Sequence, residues 1–238
     1  MVPGRRGLPN QVVSEETILI PARFNGPPTS ANGGYTCGTL AELLGGVAEV
    51  TLRKPPPLDT ELAVERRDGR IALRHGDELV AEAEPVELDI ELREPVSLDD
   101  AEAARARYHG FEAHAYPTCF TCGPDRADGL GIFAGPVAGR DGVVAAPWLP
   151  SAGEVEPEIV WAALDCPSGW AVDDFGRSGV LLGRMAARRV EPVVGDEPHV
   201  VVGWKTGEEG RKRFAGSALF DARGRVKAFA RTTWLVPR

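Results

Sequence analysis

The chain has little of what marks secreted, membrane-spanning or disulfide-rich proteins. Four cysteines in 238 residues, two of them as Cys119-x-x-Cys122, do not form the pattern of a secreted disulfide framework. No apolar run approaches the roughly 20 residues of a membrane span. The N-terminal segment MVPGRRGLPNQ has basic residues but lacks the apolar core of a signal peptide. We therefore expect a cytoplasmic protein with reduced thiols and no membrane span.

Positive charge is also scarce in this chain. Its 27 lysines and arginines are outnumbered by 35 aspartates and glutamates, which leaves a net charge of -8 and a pI near 5.2. This balance argues against nucleic acid as the main partner. The function must therefore be sought in the arrangement of the residues.

What the chain does have is a fragment that occurs twice. One apolar helix is predicted to begin at Asn32-Gly33-Gly34, and a second near Glu156-Pro157-Glu158. Each helix carries a carboxylate at the same later position, Glu42 in the first and Asp165 in the second. These two carboxylates are 123 residues apart, close to half the chain length. The chain is therefore predicted to contain two copies of one domain.

The segments around the two helices repeat as well. An apolar run that includes β-branched residues precedes each helix, at 17–24 and at 142–148, and four strand-like segments separated by turns follow each helix. Both helices are apolar nearly all round, which is typical of a helix buried in a sheet. The pattern predicts an α+β fold in which two antiparallel sheets each wrap around a central helix.

A polar, alanine-rich segment lies between the two copies. Ser97 and Asp100 have the spacing of a capping box, so the segment is predicted to be a connecting helix. We therefore expect an N-terminal domain at 12–95, a linker helix at 96–114 and a C-terminal domain at 115–238.

Two stretches of sequence carry a resemblance to a known family. NGGYTCGTLAELL is similar to the helix start of the hot-dog fold acyl-CoA thioesterases, where His-Gly-Gly or a variant leads into a small, apolar helix. IVWAALDCPSGWA resembles the later part of that helix, where an apolar run leads to an acidic residue. The resemblance implies a double hot-dog fold and a tandem member of the family that hydrolyses an acyl-CoA or related acyl thioester at a site between the two halves. It implies no cofactor.

The resemblance also implies the roles of the site residues. In this family, the helix N-terminus of one domain polarises the thioester carbonyl, and an acidic residue of the partner helix acts on it. Unpaired N–H groups at a helix start carry partial positive charge, which suits a developing oxyanion. Asn32, Gly33 and Gly34 are thus expected to face Asp165, the general base or the nucleophile.

The second helix start is poorly suited to polarising a carbonyl. Pro157 has no N–H, and the glutamates on either side of it would repel an oxyanion. We therefore expect a degenerate second site that contains Glu42, a secondary candidate only. A simpler reading of Asp165 is that it terminates its helix, where Pro167 removes a hydrogen bond.

Basic and aromatic side chains supply candidate contacts for the substrate. Arg211, Lys212 and Arg213 form a cluster at a predicted turn, and such clusters bind anionic phosphates like those of CoA. Arg53-Lys54 is a comparable pair, and a solvated strand edge is the alternative for both. Trp161 is predicted to line an acyl tunnel, with an ordinary place in the core as its alternative.

The partner implied is an acyl-CoA or acyl-carrier thioester, and double hot-dog proteins often associate further as homo-oligomers. Two other functions stay open. A non-catalytic acyl- or lipid-binding protein fits the departures at the second helix. A hydratase or dehydratase fits less well, because such enzymes need a histidine near the acidic residue, and all four histidines lie outside the two helix starts.

The segment 116–133 is the most unusual part of the chain outside the helices. Cys119-x-x-Cys122 and the preceding His114 offer three zinc ligands, and a tetrahedral structural site needs a fourth, for which Cys166 and His109 are the candidates. A second Cys-x-x-Cys is absent, so neither a zinc ribbon nor a thioredoxin-like site is supported. We therefore predict a reduced loop without a metal.

Overall fold

The computed structural model describes residues 16–172 and 179–237. Residues 12–15 of the predicted N-terminal domain, and 173–178 and 238 of the C-terminal one, lie outside this part. The first half begins with a strand and a helix and continues as four further strands, as its sequence predicts. Its elements are β1 Thr17–Leu19, α1 Gly33–Leu44, β2 Ala48–Leu52, β3 Glu61–Arg67, β4 Arg70–His75 and β5 Glu78–Pro85.

The second half repeats this succession after a connecting helix and a short additional strand. A long helix again separates the first long strand from four further strands. The elements are α2 Leu98–Arg105, β6 Gly135–Pro136, β7 Val143–Trp148, α3 Pro157–Trp170, β8 Leu181–Arg189, β9 His199–Glu209, β10 Lys212–Asp221 and β11 Val226–Leu235.

The described strands form one antiparallel sheet in the order β1-β3-β4-β5-β2-β8-β11-β10-β9-β7-β6. Read inward from each edge, and leaving out β6, both halves have the same strand order, which is the internal repeat that the sequence predicts. The halves join where β2 pairs with β8, from Ala48 opposite Ala187 to Thr51 opposite Arg184. The sequence predicts two sheets that run together, and through this pairing the described strands form one continuous sheet. The pairing satisfies backbone groups that would otherwise be exposed at two strand edges.

The two central helices pack on the sheet and on each other. Their contact is close because glycine replaces a side chain at the crossing. A Cβ at Gly38 would lie 2.6 Å from the Cα of Glu158 and 2.9 Å from the Cβ of Trp161. The α3 helix continues past Pro167 to Trp170, so the proline does not end it. Asp165 therefore lies inside the helix.

The connecting helix α2 begins as its capping-box pattern predicts. The Ser97 hydroxyl accepts a hydrogen bond from the Asp100 N–H at 3.1 Å. Ala101 and Ala104 are fully buried and belong to a second apolar cluster with residues of β7, β9 and β10. The helix thus covers part of the second half's sheet. None of the helices in the described parts of the chain has the length and apolar character needed to cross a membrane.

Candidate active site

Asp165 is a buried carboxylate at the crossing of α1 and α3. Asp165 is only 2% exposed to solvent. Its Oδ2 accepts a hydrogen bond from the backbone N–H of Gly34 at 2.9 Å. This approach requires glycine, because a Cβ at Gly34 would lie 2.5 Å from the Asp165 Cβ and 2.7 Å from the Trp161 carbonyl oxygen. The structure therefore brings together Gly34 and Asp165, which the sequence places 131 residues apart.

The second oxygen of this carboxylate is left for a ligand. Within the described residues, Asp165 Oδ1 is buried and has no hydrogen-bond partner. Burial raises the pKa of Asp165 to about 7, while the Gly34 N–H and the Asn32 amide favour the charged form and oppose that rise. A carboxylate with a pKa near neutrality suits general-base catalysis.

The start of α1 differs in one respect from the expected carbonyl-polarising site. The Gly34 N–H is already bonded to Asp165, and the Tyr35 N–H donates to Asn32 Oδ1 at 2.8 Å, so Asn32 is the N-cap. For the Gly33 N–H, no partner occurs within 16–172 or 179–237. Gly33 thus provides the N–H in this turn that is available to a thioester oxygen.

A pocket of about 160 Å³ lies against these residues. Asn32, Gly33 and Asp165 contribute to its wall, which is otherwise mostly apolar and is built from residues of both halves. Such a wall accommodates an acyl chain beside a few polar groups. The apolar part of the wall includes Leu52, Pro56, Val180, Leu182, Trp234 and Leu235.

Two basic residues also line this pocket. The Arg53 guanidinium pairs with Glu82 at 2.6 Å, and the Lys54 ammonium pairs with Glu78 at 2.7 Å. The side chains of Arg53 and Lys54 are 50% and 53% exposed. They therefore offer positive charge at the wall of the pocket while remaining open to solvent.

The predicted substrate-binding residues lie elsewhere. Arg211, Lys212 and Arg213 occupy the turn between β9 and β10 and its continuation, and none of them lines the pocket. Lys212 is opposite Leu235 in the sheet, so the cluster is one strand away from the pocket wall. Trp161 is 2% exposed and packs at the helix crossing, which agrees with its alternative place in the core.

Glu42 has surroundings unlike those of Asp165. Its carboxylate is 45% exposed and lies 3.7 Å from the guanidinium of Arg189. The start of α3 has Pro157 as its first residue, and the N-cap Glu156 makes no side-chain capping bond. The second copy thus lacks the buried carboxylate of the first site, and Pro157 supplies no N–H at the start of its helix.

A buried polar network beneath Asp165 was not indicated by the sequence. The Ser168 hydroxyl donates to the Asp165 carbonyl at 2.7 Å and accepts from Thr232 Oγ1 and Trp234 Nε1, both at 2.9 Å. These bonds join α3 to β11 directly below the carboxylate. Ser168 follows Asp165 by three residues, but its partners on β11 are distant in sequence, so no local pattern indicates the network.

The cysteine segment, residues 116–133, also contacts this site. The sulfur atoms of Cys119, Cys122 and Cys166 all lie within 4.8 Å of one another. Hydrogen bonds from the other two thiols hold the pKa of Cys119 well below its usual range, and burial lowers the pKa of His114. His109 is exposed and lies outside this cluster. The structure thus selects Cys166, of the two candidates, as the residue that joins the Cys-x-x-Cys pair.

The same segment holds the start of α1 in place. The Asn32 amide donates to Thr121 Oγ1 at 3.3 Å, and the Thr121 hydroxyl donates to the Ala162 carbonyl at 3.1 Å. The Phe120 N–H donates to the Asn25 carbonyl at 2.8 Å. The loop between the two copies therefore connects both central helices beside Asp165.

Comparison with known proteins identifies the fold. No family model matches the chain, and no curated protein matches its sequence significantly. Solved structures do match it over most of its length. A candidate thioesterase from Novosphingobium aromaticivorans has a TM-score of 0.63 at 15% identity, covering 93% of this chain and 95% of its own.

Two TesB-type structures from mycobacteria match as well. The tesB protein of Mycobacterium avium subs paratuberculosis has a TM-score of 0.57 at 12% identity, covering 90% of each chain. The acyl-CoA thioesterase II TesB2 of Mycobacterium marinum has a TM-score of 0.53 at 10% identity, covering 81% of this chain and 80% of its own. At these identities the likeness shows the fold, so the hot-dog fold inferred from the two helix stretches is confirmed.

Proposed function

We propose that this chain hydrolyses an acyl-CoA or related acyl thioester in the pocket beside Asp165, between two hot-dog halves at 12–95 and 115–238 joined by the linker 96–114. The observation that carries the proposal is the buried Asp165 carboxylate. One of its oxygens is held by the Gly34 N–H, and the other has no partner among the described residues of the chain. A carboxylate oriented in this way at the wall of an apolar pocket is prepared for proton transfer or attack.

The reaction needs a polarised carbonyl and a base on opposite sides of one thioester carbon. The Gly33 N–H at the start of α1 would bind the carbonyl oxygen, where the positive end of the helix dipole stabilises negative charge. Asp165 Oδ1 would take a proton from water as the water oxygen bonds to the carbonyl carbon. The tetrahedral intermediate then collapses with cleavage of the C–S bond, and the thiolate leaves.

Direct attack by Asp165 on the carbonyl is the second form of the same proposal. It would give an acyl-aspartyl anhydride, which water then hydrolyses. A single turnover in isotopically labelled water separates the two forms when the water attacks the aspartyl carbon of the anhydride. Label would then enter Asp165, whereas general-base catalysis places it only in the released acid.

The pocket suggests where the two ends of the substrate bind. The acyl group would lie along the apolar wall that includes Leu182 and Trp234, and the phosphate groups of CoA would meet Arg53 and Lys54. Both basic side chains already pair with glutamates, so each would exchange one anionic partner for another. The cluster Arg211–Arg213 and the tunnel role of Trp161 stay predictions.

A panel of acyl-CoA thioesters of increasing chain length tests the proposal. Release of free CoA should be measured with wild-type protein and with Asp165→Asn, which keeps the shape and an oxygen to accept from Gly34. We expect turnover of at least one thioester by the wild type and a loss of about 100-fold to 10,000-fold in the variant. Full activity in Asp165→Asn would refute the assigned role.

A non-catalytic acyl-binding protein is the second candidate. One observation favours it: the Gly34 N–H, which was expected to polarise the carbonyl, is already bonded to Asp165. Saturable binding of acyl-CoA without release of CoA, unchanged by Asp165→Asn, would support this candidate over hydrolysis.

A further inference from the structure

Three thiols and one imidazole meet at a single point beside α3. Cys119 and Cys122 come from the segment between α2 and β6, and Cys166 comes from the helix. The Cys119 and Cys166 sulfurs are 3.8 Å apart, and His114 Nε2 lies 3.4 Å from the Cys122 sulfur. The three sulfurs form the only group of possible metal ligands lying within 4.8 Å of one another in the described part of the chain, and His114 lies beside Cys122 outside that group.

Two of the separations match edges of a tetrahedron around zinc. With Zn–S bonds of about 2.3 Å and Zn–N bonds of about 2.0 Å, neighbouring sulfurs lie roughly 3.8 Å apart, and sulfur and nitrogen roughly 3.5 Å apart. The measured 3.8 Å and 3.4 Å agree with these edges. A disulfide needs an S–S distance of about 2.05 Å and would leave one of three thiols unpaired.

The backbone of the segment is shaped to hold the two cysteines close. The Gly123 N–H donates to the Cys119 carbonyl at 2.9 Å, which closes a tight turn through Cys119-x-x-Cys122. A Cβ at position 123 would lie 2.5 Å from the Cys119 nitrogen, so the turn requires glycine after the second cysteine. The Tyr108 hydroxyl donates to the Cys122 carbonyl at 2.8 Å and fixes the turn from outside.

The cluster is shielded from water. None of the three cysteines is more than 3% exposed, and the rings of Tyr108 and Trp170 lie against the imidazole of His114, at 6.3 Å and 5.3 Å between centroids. Thiolates in such surroundings are costly unless a cation neutralises them. Soft sulfur ligands with one imidazole in tetrahedral positions are selective for zinc among common divalent ions.

We propose that Cys119, Cys122, Cys166 and His114 bind one zinc ion in a structural Cys₃His site. All four positions are filled by protein, so the ion has no open position for substrate and acts by holding the segment to α3. Cys166 follows Asp165 directly, so the ion fixes the helix turn that carries the carboxylate. The expectation of a metal-free loop rested on the sequence, in which the third thiol is 44 residues beyond Cys122.

Metal binding requires local changes at His114, whose ring nitrogens lie outside the group that the three sulfurs form and must move closer to Cys119 and Cys166. Its Nδ1 accepts a hydrogen bond from the Tyr116 N–H at 2.9 Å, which places the proton of a neutral ring on Nε2. Coordination through Nε2 moves that proton to Nδ1, and the Tyr116 N–H must then turn away. The three thiolates therefore supply most of the affinity, and His114 completes the tetrahedron.

Metal content of the wild-type protein is the primary test and does not depend on enzymatic activity. Untagged protein purified without chelator should contain about one zinc per chain by elemental analysis. After removal of the metal, cobalt(II) should give sulfur-to-metal charge-transfer absorption and the intense visible bands of a tetrahedral ion. Cys37→Ala is the matched control, because Cys37 is a buried cysteine of α1 outside the cluster.

Variants identify the ligands. Cys122→Ser should lose the zinc and the charge-transfer band, while Cys37→Ala should keep both. His114→Asn should shift the visible bands and weaken zinc binding at least about 10-fold. Chelator should lower the Tm of the wild type and of Cys37→Ala alike.

Several outcomes would overturn the site. Wild-type protein that neither contains zinc nor takes up tetrahedral cobalt would end the proposal, as would intact-mass detection of a disulfide between two of the three cysteines in freshly prepared protein. Cobalt bands unchanged in His114→Asn would remove His114 from the ligand set.

Discussion

The two central helices begin in opposite ways although they occupy equivalent places in the sheet. The first is capped by Asn32 and begins at Gly33, which lines a pocket and whose N–H has no partner among the described residues, whereas the second begins with Pro157 between two glutamates. The carboxylates at the matching later positions of the two helices also differ: Asp165 is buried at the helix crossing, and Glu42 is an exposed partner of Arg189. A repeated fold can therefore keep its strand order while the groups suited to chemistry persist at one of its two equivalent positions.

The difference between the two carboxylates provides the largest expected effect. Asp165→Asn should lower kcat/KM by about 100-fold to 10,000-fold, because it removes the base and keeps the bond from Gly34. Glu42→Gln should change kcat/KM less than about twofold, because an exposed ion pair of this kind contributes little. Steady-state kinetics on the best acyl-CoA of the panel measure both. Equal losses in the two variants would mean that both equivalent sites are active.

Substitutions of the glycines at the crossing of α1 and α3 should give the next largest effect. Gly34→Ala and Gly38→Ala each insert a Cβ within 2.5 to 2.6 Å of the facing helix, so each should lower the free energy of unfolding by about 1 to 3 kcal/mol. Only Gly34 donates to Asp165. Alanine keeps this N–H, but its Cβ would push the N–H and the carboxylate apart, so Gly34→Ala should also reduce kcat at temperatures where both variants are folded. Urea unfolding followed by kinetics separates the two effects. A similar loss of kcat in Gly38→Ala would show that helix spacing alone controls turnover.

The hydrogen-bond network of Ser168 between α3 and β11 should give a smaller effect, on stability. Ser168→Ala removes the hydroxyl that joins the backbone carbonyl of Asp165 to Thr232 and Trp234. The free energy of unfolding should therefore fall by about 1 to 3 kcal/mol. Ser168→Cys should be a milder change, since it keeps a weak donor and similar volume. Thermal unfolding measures both variants. If Ser168→Ala unfolds like the wild type, the network makes no net contribution to stability.

The smallest effect concerns the charged wall of the pocket. Arg53→Gln should raise KM for acyl-CoA about two- to fivefold with kcat unchanged, because an exposed charge contributes under about 1 kcal/mol. A thioester without phosphate groups should show no such change. Arg70→Gln is the control, because Arg70 forms a similar exposed pair with Glu84 and does not line the pocket. A larger effect in variants of Arg211–Arg213 would restore the cluster predicted from the sequence.

Local patterns in the sequence were sufficient for most of the secondary structure. Alternating apolar residues and turn-forming pairs such as Asp68-Gly69 predict the meander strands of both halves, and the structure confirms these strands. The capping bond of Ser97 also follows from spacing alone. The position of Trp161 shows the limit of such patterns, because an apolar helix residue can face either a tunnel or the core.

Pairings between distant residues could not be predicted in the same way. The sequence suggests that the start of α1 faces Asp165, but it does not indicate that the Gly34 N–H is the group that Asp165 binds. The sequence also does not indicate that Arg53 lines the pocket, because the position of Arg53 depends on how β2 and the loop after it pack beside β8. These contacts depend on the registration of strands and helices more than 100 residues apart.

The sequence by itself determined the duplication, the order of elements in each half and the unequal helix starts. Each of these follows from short local patterns, or from the likeness of two such patterns. Only the tertiary structure decided that β2 pairs with β8 to make one sheet, that Gly34 lies against Asp165, and that Cys166 joins Cys119 and Cys122. The physical reason is that helix capping and strand alternation are local effects. The approach of two helices, by contrast, is set by packing over the whole core, and here it depends on the absence of a Cβ at two glycines.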